Sequence, residues 1–286
     1  MTFPEYASAY AKRLAEKSAA FALQTSAAGE TDDVCGRYPE DPFGELSEAA
    51  VCPGLKQRFP DRVLVMTTDR CFMHCRHCTR RHLLGRTQLA DAPGRLEDAV
   101  RYVKAHPLVR DVLLSGGDVL TLCDDDVMRF VDAFAALPQV DMVRVCTRAL
   151  AAEPARVTKK LARRLGACGK VWVNTQFNCA DELTALARRA AKFLVEAGVP
   201  VSCQSVLLKG VNDSGEKMLA LLKALSASRI RPYYVFMCDP VAGIDRFRVS
   251  LAKAREIERY CAERIGGLAL PRFVRDIPGA KRKMPI

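Results

Sequence analysis

The sequence contains no run of about 20 apolar residues, the length a helix needs to cross a bilayer. Its first residues, Met1-Thr2-Phe3-Pro4-Glu5, lack a basic stretch followed by an apolar one, which argues against an export signal. Low-complexity tracts, internal repeats and a clean domain boundary are also missing. Basic residues form no dense block before the last six positions. The net charge of +11 therefore reads mainly as solvated helix faces, with an anionic cofactor or substrate taking up part of the rest. A nucleic-acid partner is not expected. Histidine is scarce, with four in the chain. His74, His82 and His106 read as loop or surface residues. What remains is a globular chain of 286 residues, 49% hydrophobic, long enough for one large core.

Cysteine, by contrast, is abundant, with twelve in the chain. Nine are scattered singly: Cys35, Cys52, Cys123, Cys146, Cys168, Cys179, Cys203, Cys238 and Cys261. Scattered thiols without an export signal predict a soluble protein of a reducing cytoplasm. The other three lie together in Cys71-Phe72-Met73-His74-Cys75-Arg76-His77-Cys78. Three cysteines so close cannot all pair with one another. They can converge on one inorganic centre, and three thiolates suit three corners of a [4Fe-4S] cube, leaving one iron open. On spacing alone a structural zinc site or free core cysteines compete with that reading.

From residue 62 the chain alternates. Strands are predicted at Val63–Thr67, Val112–Ser115, Met142–Thr147, Val171–Gln176, Val199–Leu207 and Tyr233–Met237. Helices are predicted at Arg95–Ala105, Asp124–Leu137, Pro154–Leu165, Asp181–Ala197, Ser214–Ser228 and Ser250–Arg264. Asp124 and Ser214 sit at N-cap positions, and Gly198 at a C-terminal cap. Six units predict an α/β fold with a parallel sheet, open rather than closed, whose chemistry lies at the carboxyl ends of the strands. Before it, one helix is predicted over Glu5–Ala28, then a loop over 32–61. The division is 1–61, an N-terminal helical appendage and lead-in, and 62–286, the catalytic domain.

Ser115-Gly116-Gly117-Asp118 follows the second strand. Its glycines allow close backbone approach and its carboxylate can accept from an ammonium. Taken alone, it is as well an ordinary strand-to-helix turn. The end of the chain, Ala280-Lys281-Arg282-Lys283-Met284-Pro285-Ile286, reads alone as a basic, frayed tail.

Cys71–Cys78 with Thr79-Arg80-Arg81 resembles the radical S-adenosylmethionine (SAM) superfamily, and C-R-H-C-T-R-R resembles the signature of its lysine 2,3-aminomutase family. Asp41-Pro42-Phe43-Gly44-Glu45 and Pro53–Arg62 resemble that family's lead-in, so the likeness spans roughly 41–286. It implies a partial (β/α)6 TIM-like barrel of the radical SAM type. It also implies three cofactors: a [4Fe-4S] cluster on Cys71, Cys75 and Cys78, SAM held by Ser115, Gly116, Gly117 and Asp118, and pyridoxal 5'-phosphate (PLP). Counting from Pro278-Gly279 places the PLP lysine at Lys283, with Lys281 as rival. Arg58, Arg62 and Gln204 match positions that bind PLP. Arg80 matches the grip on the substrate carboxylate, and Asp239 and Asp276 the grip on a side-chain ammonium. Two carboxylates converging on one pocket repel unless a cation lies between them. The pair thus predicts a basic substrate, lysine first, then arginine or ornithine.

The implied activity is an isomerase shifting the amino group of L-lysine to give β-lysine. A flavodoxin or ferredoxin reductant and a homo-oligomer are further expectations. Three departures stand out. Ala280-Lys281-Arg282 replaces glycines. Gln176 stands where histidine is common. The compact length resembles family members without the C-terminal extension. The altered glycines motivate a rival: a radical SAM enzyme without PLP acting on another substrate, a macromolecule among the candidates. A non-catalytic iron-sulfur or zinc protein is a third reading.

Overall fold

The computed structural model describes residues 3–28, 30, 38–45, 54–84 and 94–286. Among these, one sheet of nine strands runs in chain order: β1 (Leu55–Phe59), β2 (Arg62–Thr68), β3 (Asp111–Gly116), β4 (Met142–Thr147), β5 (Val171–Thr175), β6 (Val201–Leu207), β7 (Arg231–Met237), β8 (Arg272–Arg275) and β9 (Met284–Pro285). Strands β2 to β8 are parallel. The outer strands β1 and β9 add antiparallel edges and are not paired with each other. The sheet is therefore an open, partial barrel.

Two faces follow from the period of two along each strand. Val63, Val65, Val112, Leu114, Val143 and Val145 are buried in the main core. The core also takes residues of the helices α3 (Arg95–Ala105), α4 (Asp124–Ala135), α6 (Lys159–Ala167), α7 (Ala185–Glu196), α8 (Gly215–Ala227) and α9 (Leu251–Ala262). The alternate residues, Leu64, Leu113, Arg144, Asn174, Gln204 and Tyr234, line a cavity on the other face. A fully apolar strand would have filled that space with core.

The N-terminal helix is two helices, α1 (Ala9–Ala15) and α2 (Ala19–Thr25). Ser8 and Ser18 each cap one, their hydroxyls accepting from Ala11 N and Phe21 N. A second cap inside the apolar pattern ends the single helix that the spacing predicts. The predicted loop 32–61 contains β1; its residues 32–37 and 46–53 lie outside the described set. A seventh parallel strand, β8, lies beyond the predicted six. At α4 the cap is Cys123, with Asp124 first in the helix. Short 3-10 turns at Pro154–Arg156 and Ala180–Glu182 precede α6 and α7, which start behind Thr158 and Thr184 as caps. Ser214 caps α8, and Gly198 turns the chain after α7 with φ of +79°. A four-residue helix, α5 (Ala149–Ala152), follows β4 directly. Ala11, Leu14 and Phe21 of α1 and α2 pack in a second apolar cluster with Met73 of the cysteine loop.

Candidate functional site

The inner face of the sheet and the loops at its carboxyl end enclose a cavity of about 430 Å³. Residues of β1 to β7 reach it, with Asp276 just after β8 and Lys283 just before β9, because parallel strands present all their C-terminal loops on one side.

The cysteine loop leaves the end of β2. Cys71, Cys75 and Cys78 are half-buried and all line the cavity. The N-terminal segment holds the loop from outside: Ser8 N donates to Phe72 O (2.8 Å), His74 N to Tyr6 O (2.8 Å) and Arg76 N to Gln24 O (2.9 Å). The Arg76 side chain is wholly buried and pairs with Glu30. Among the described residues no three side chains gather tightly enough for a single metal ion. A cube asks for one thiolate at each of three separate corners, and the donor set fits that. Burial pushes the Cys78 thiol up to about 12, helped by Cys75. Burial, then Cys78, Asp118 and Cys75, raise Cys71 well above the usual thiol range. Two thiols raised in this way ionise together only when a cationic centre joins them.

Gly116 and Gly117 serve the loop's own backbone. A Cβ on Gly116 would lie 2.4 Å from Thr68 O, and one on Gly117 2.2 Å from Arg70 O. This closeness lets Gly117 N donate to Thr68 O and Asp118 N to Arg70 O, both at 2.7 Å. The Asp118 carboxylate is turned inward. It accepts from Thr147 Oγ1 (2.6 Å), Arg148 N (2.7 Å) and Leu120 N (3.0 Å). The carboxylate expected to accept from an ammonium is thus engaged by three donors of the chain, while Asp118 itself still lines the cavity. Ser115 and the glycines still border the cavity.

At the other expected cluster of residues, β9 pairs antiparallel with β8 and brings Lys283 beside Asp276. Lys283 lines the cavity, whereas Lys281 is exposed. Burial, with the positive fields of Arg58, Arg62 and Arg80, lowers Lys283 to about 8 against the pull of Asp239. Arg58 donates to Asp276 Oδ1 and to Ile277 O, each at 2.5 Å. Arg62 pairs with Asp61 (2.9 Å), and both Arg62 and Gln204 border the cavity. A buried lysine with three arginines around it marks a place suited to an anion.

Asp239 and Asp276 line the same cavity. Burial raises Asp239 to about 6, with Lys283 and Arg58 opposing. The cation at Asp276 is the chain's own Lys283, together with Arg58. Arg80 is also engaged. Its Nε and Nη2 donate to the two oxygens of Glu45 (2.6 and 2.7 Å), and Nη1 donates to Ser115 Oγ (3.2 Å).

Glu45 and Arg148 line the cavity, and Glu182 lies buried behind Arg148, without any role given to them by the sequence; His77 of the cysteine loop lines the cavity as well. Glu45 closes the Asp41–Glu45 segment onto Arg80. Arg148, after β4, is buried between Cys75 and Glu182. The wholly buried Glu182 accepts from Asn178 N (2.9 Å) and Cys179 N (3.0 Å). His77 is buried with Nε2 3.2 Å from Gln176 Nε2 and 3.3 Å from Asn178 Nδ2. Burial, then Arg148, keep its imidazole neutral, far below its ordinary pKa.

The chain matches the Radical SAM superfamily over residues 65–222. It is 42% identical over 247 residues to an L-lysine 2,3-aminomutase of Acetoanaerobium sticklandii, covering 86% of this chain and 59% of that protein. It is 36% identical over 246 residues to a Treponema pallidum protein provisionally named an L-lysine 2,3-aminomutase, covering 86% of this chain and 69% of that one. Among solved structures it is similar to SuiB of Streptococcus suis bound to the precursor peptide SuiA. That likeness has a TM-score of 0.58 at 19% identity, over 76% of this chain and 49% of SuiB, and speaks to the fold alone. An open parallel barrel with three cysteines after its first parallel strand, and relatives so similar over most of its length, place the chain in the radical SAM superfamily and, within it, in the lysine 2,3-aminomutase family.

Proposed function

We propose that the protein is a radical SAM, PLP-dependent aminomutase that converts L-lysine to β-lysine. One observation carries this: a single cavity is lined by Cys71, Cys75 and Cys78 and also by Lys283, Asp239 and Asp276. When bound, the cluster and SAM would supply the radical chemistry, and PLP an aldehyde for the migrating nitrogen.

Cys71, Cys75 and Cys78 would hold the cluster, within a loop shielded from water by α1 and α2. Ser115, Gly116 and Gly117 would border SAM, with Asp118 fixing that turn against Thr147 and Arg148. Lys283 would carry PLP. With a pKa near 8 a useful fraction of its amine is free and nucleophilic near neutrality. Arg58, Arg62 and Gln204 would donate to the phosphate. With Lys283 engaged, Asp276 loses that partner and joins Asp239 as a carboxylate for the substrate's side-chain ammonium. Arg80 would hold the substrate carboxylate with the N–H groups that Glu45 leaves it. We also propose a flavodoxin- or ferredoxin-class electron donor, a cytoplasmic setting, consistent with ten free described cysteines, and a homo-oligomeric assembly.

The test is anaerobic. Cluster-reconstituted protein receives SAM, PLP, a strong reductant and L-lysine, and the amino acids are separated against β-lysine. The expected β-lysine peak disappears in Lys283→Ala and Asp276→Ala. Formation of 5'-deoxyadenosine without β-lysine would move the substrate elsewhere, with arginine and ornithine next. Absence of a PLP absorption band that borohydride abolishes would favour the PLP-free rival.

A further inference from the structure

Arg148 directly follows the last residue of β4, and 9% of its surface is exposed. Its Nη1 lies 2.8 Å from Cys75 Sγ. Its Nη2 donates to Gln24 Oε1 (2.5 Å) and Glu182 Oε2 (3.0 Å). Both partners are wholly buried. Gln24 is itself held, accepting from Asn178 Nδ2 (2.9 Å) and donating from Nε2 to Glu182 Oε1 (3.1 Å). The backbone N of Arg148 anchors to Asp118. The guanidinium is therefore fixed from α2 and from the turn before α7, and the residue's backbone from the turn after β3.

A buried ion pair of this kind adds little net stability, because removing both charges from water costs about as much as their attraction returns. Packing alone does not call for it. What the arrangement does provide is a fixed positive N–H donor aimed at one cysteine sulfur. Hydrogen bonds and cationic charge at a cluster thiolate stabilise the more negative, reduced cluster and raise its potential.

We propose that Arg148, held by Glu182 and Gln24, is a positioning residue for the cluster corner at Cys75, donating an N–H to that sulfur and raising the cluster's reduction potential. The inference rests on the cluster reading of Cys71, Cys75 and Cys78 but not on the identity of the substrate.

The experiment uses reconstituted full-length protein without SAM. Iron and sulfide per chain are counted, the midpoint potential is measured by titration followed by EPR, and pulsed EPR is run on protein labelled with ¹⁵N-arginine. The expected result is a ¹⁵N coupling in the reduced wild-type cluster that Arg148→Lys loses. With a full iron count, the potential of Arg148→Gln is expected to be more negative than wild type, and that of Arg148→Lys intermediate, because the charge stays but the fork is gone. An unchanged potential in a fully loaded Arg148→Gln overturns the proposal. If Arg148→Gln fails to fold or load, the labelled wild type and Arg148→Lys decide: a coupling lost in the lysine variant supports the proposal, and no coupling overturns it. A wild type that takes up no cluster sinks the cluster reading and this inference with it, a result distinct from the others.

Discussion

Gly117→Ala tests the seam between the cysteine loop and the Ser115–Asp118 turn. The added methyl would lie 2.2 Å from Arg70 O, 2.8 Å from its carbonyl carbon and 2.9 Å from its nitrogen. All three atoms are backbone, so no flexible side chain can swing aside. The turn must retreat by about 0.8 Å to reach 3.0 Å, a closeness real Cβ atoms hardly ever pass. Moving that far stretches the hydrogen bonds Gly117 N–Thr68 O and Asp118 N–Arg70 O, now 2.7 Å each, to the edge of bonding distance. Overpacking costs about 1–3 kcal/mol, and with the two weakened bonds the loss comes to about 2–6 kcal/mol.

Urea unfolding of the reduced, cluster-free protein reads this directly. Gly266→Ala is the control, since its methyl meets nothing within 4 Å. We expect Gly117→Ala to unfold at clearly lower urea than the control and, after reconstitution, to hold less iron per chain. Equal midpoints and equal iron for the two variants would refute the reasoning, because the turn would then have room that the geometry denies it.

Three further outcomes follow from the same contacts. With Lys283 near 8, its reaction with pyridoxal phosphate should speed up as pH rises and level off above about 8; Asp239→Asn removes the carboxylate that raises this pKa, so the midpoint, read by stopped-flow absorbance, should move lower. Asp239, raised to about 6 by burial, should be neutral below that pH; lysine affinity, measured by calorimetry on PLP-loaded protein, should therefore rise as pH passes upward through about 6 and lose that step in Asp239→Asn. The Ser18 hydroxyl caps α2 and also donates to Asp181 Oδ2 (2.5 Å), so Ser18→Ala should cost about 1–2 kcal/mol in urea unfolding.

The parallel strands were legible because each is a short β-branched run set between helical patterns. The residues given by local motifs, Cys71, Cys75, Cys78, Arg80 and Lys283, all border one cavity. Other features are settled by distant partners. Leu55–Phe59 becomes a strand only by pairing with β2, and prolines on either side give it the look of a loop. Arg272–Arg275 is four residues long, too short to show a period. Arg148 and Glu182 are 34 positions apart, so nothing local ties them together. Asp118 shows most clearly what a motif leaves out. Its type and place were visible in the sequence. That its carboxylate turns inward depends on Thr147 and the Arg148 backbone, about 30 residues on.

The charges in the cavity are largely paired with one another. Two of the expected ligand-binding side chains have partners from the chain: Glu45 for Arg80, and Arg58 and Lys283 for Asp276. A half-buried charge left alone would carry a desolvation cost with no return. Paired internally, the charges keep the open half of the barrel polar and prevent its collapse into core. The partners also set an order of binding. On the proposed function PLP should arrive before lysine, because Lys283, alongside Arg58, pairs with Asp276 until its nitrogen is taken by the cofactor. Lysine affinity should therefore be far weaker in PLP-free protein, and Lys283→Ala, which releases Asp276 without PLP, should restore part of it. Calorimetry on these three forms checks the order. Equal affinity with and without PLP would mean that the Lys283–Asp276 pair does not guard the substrate site.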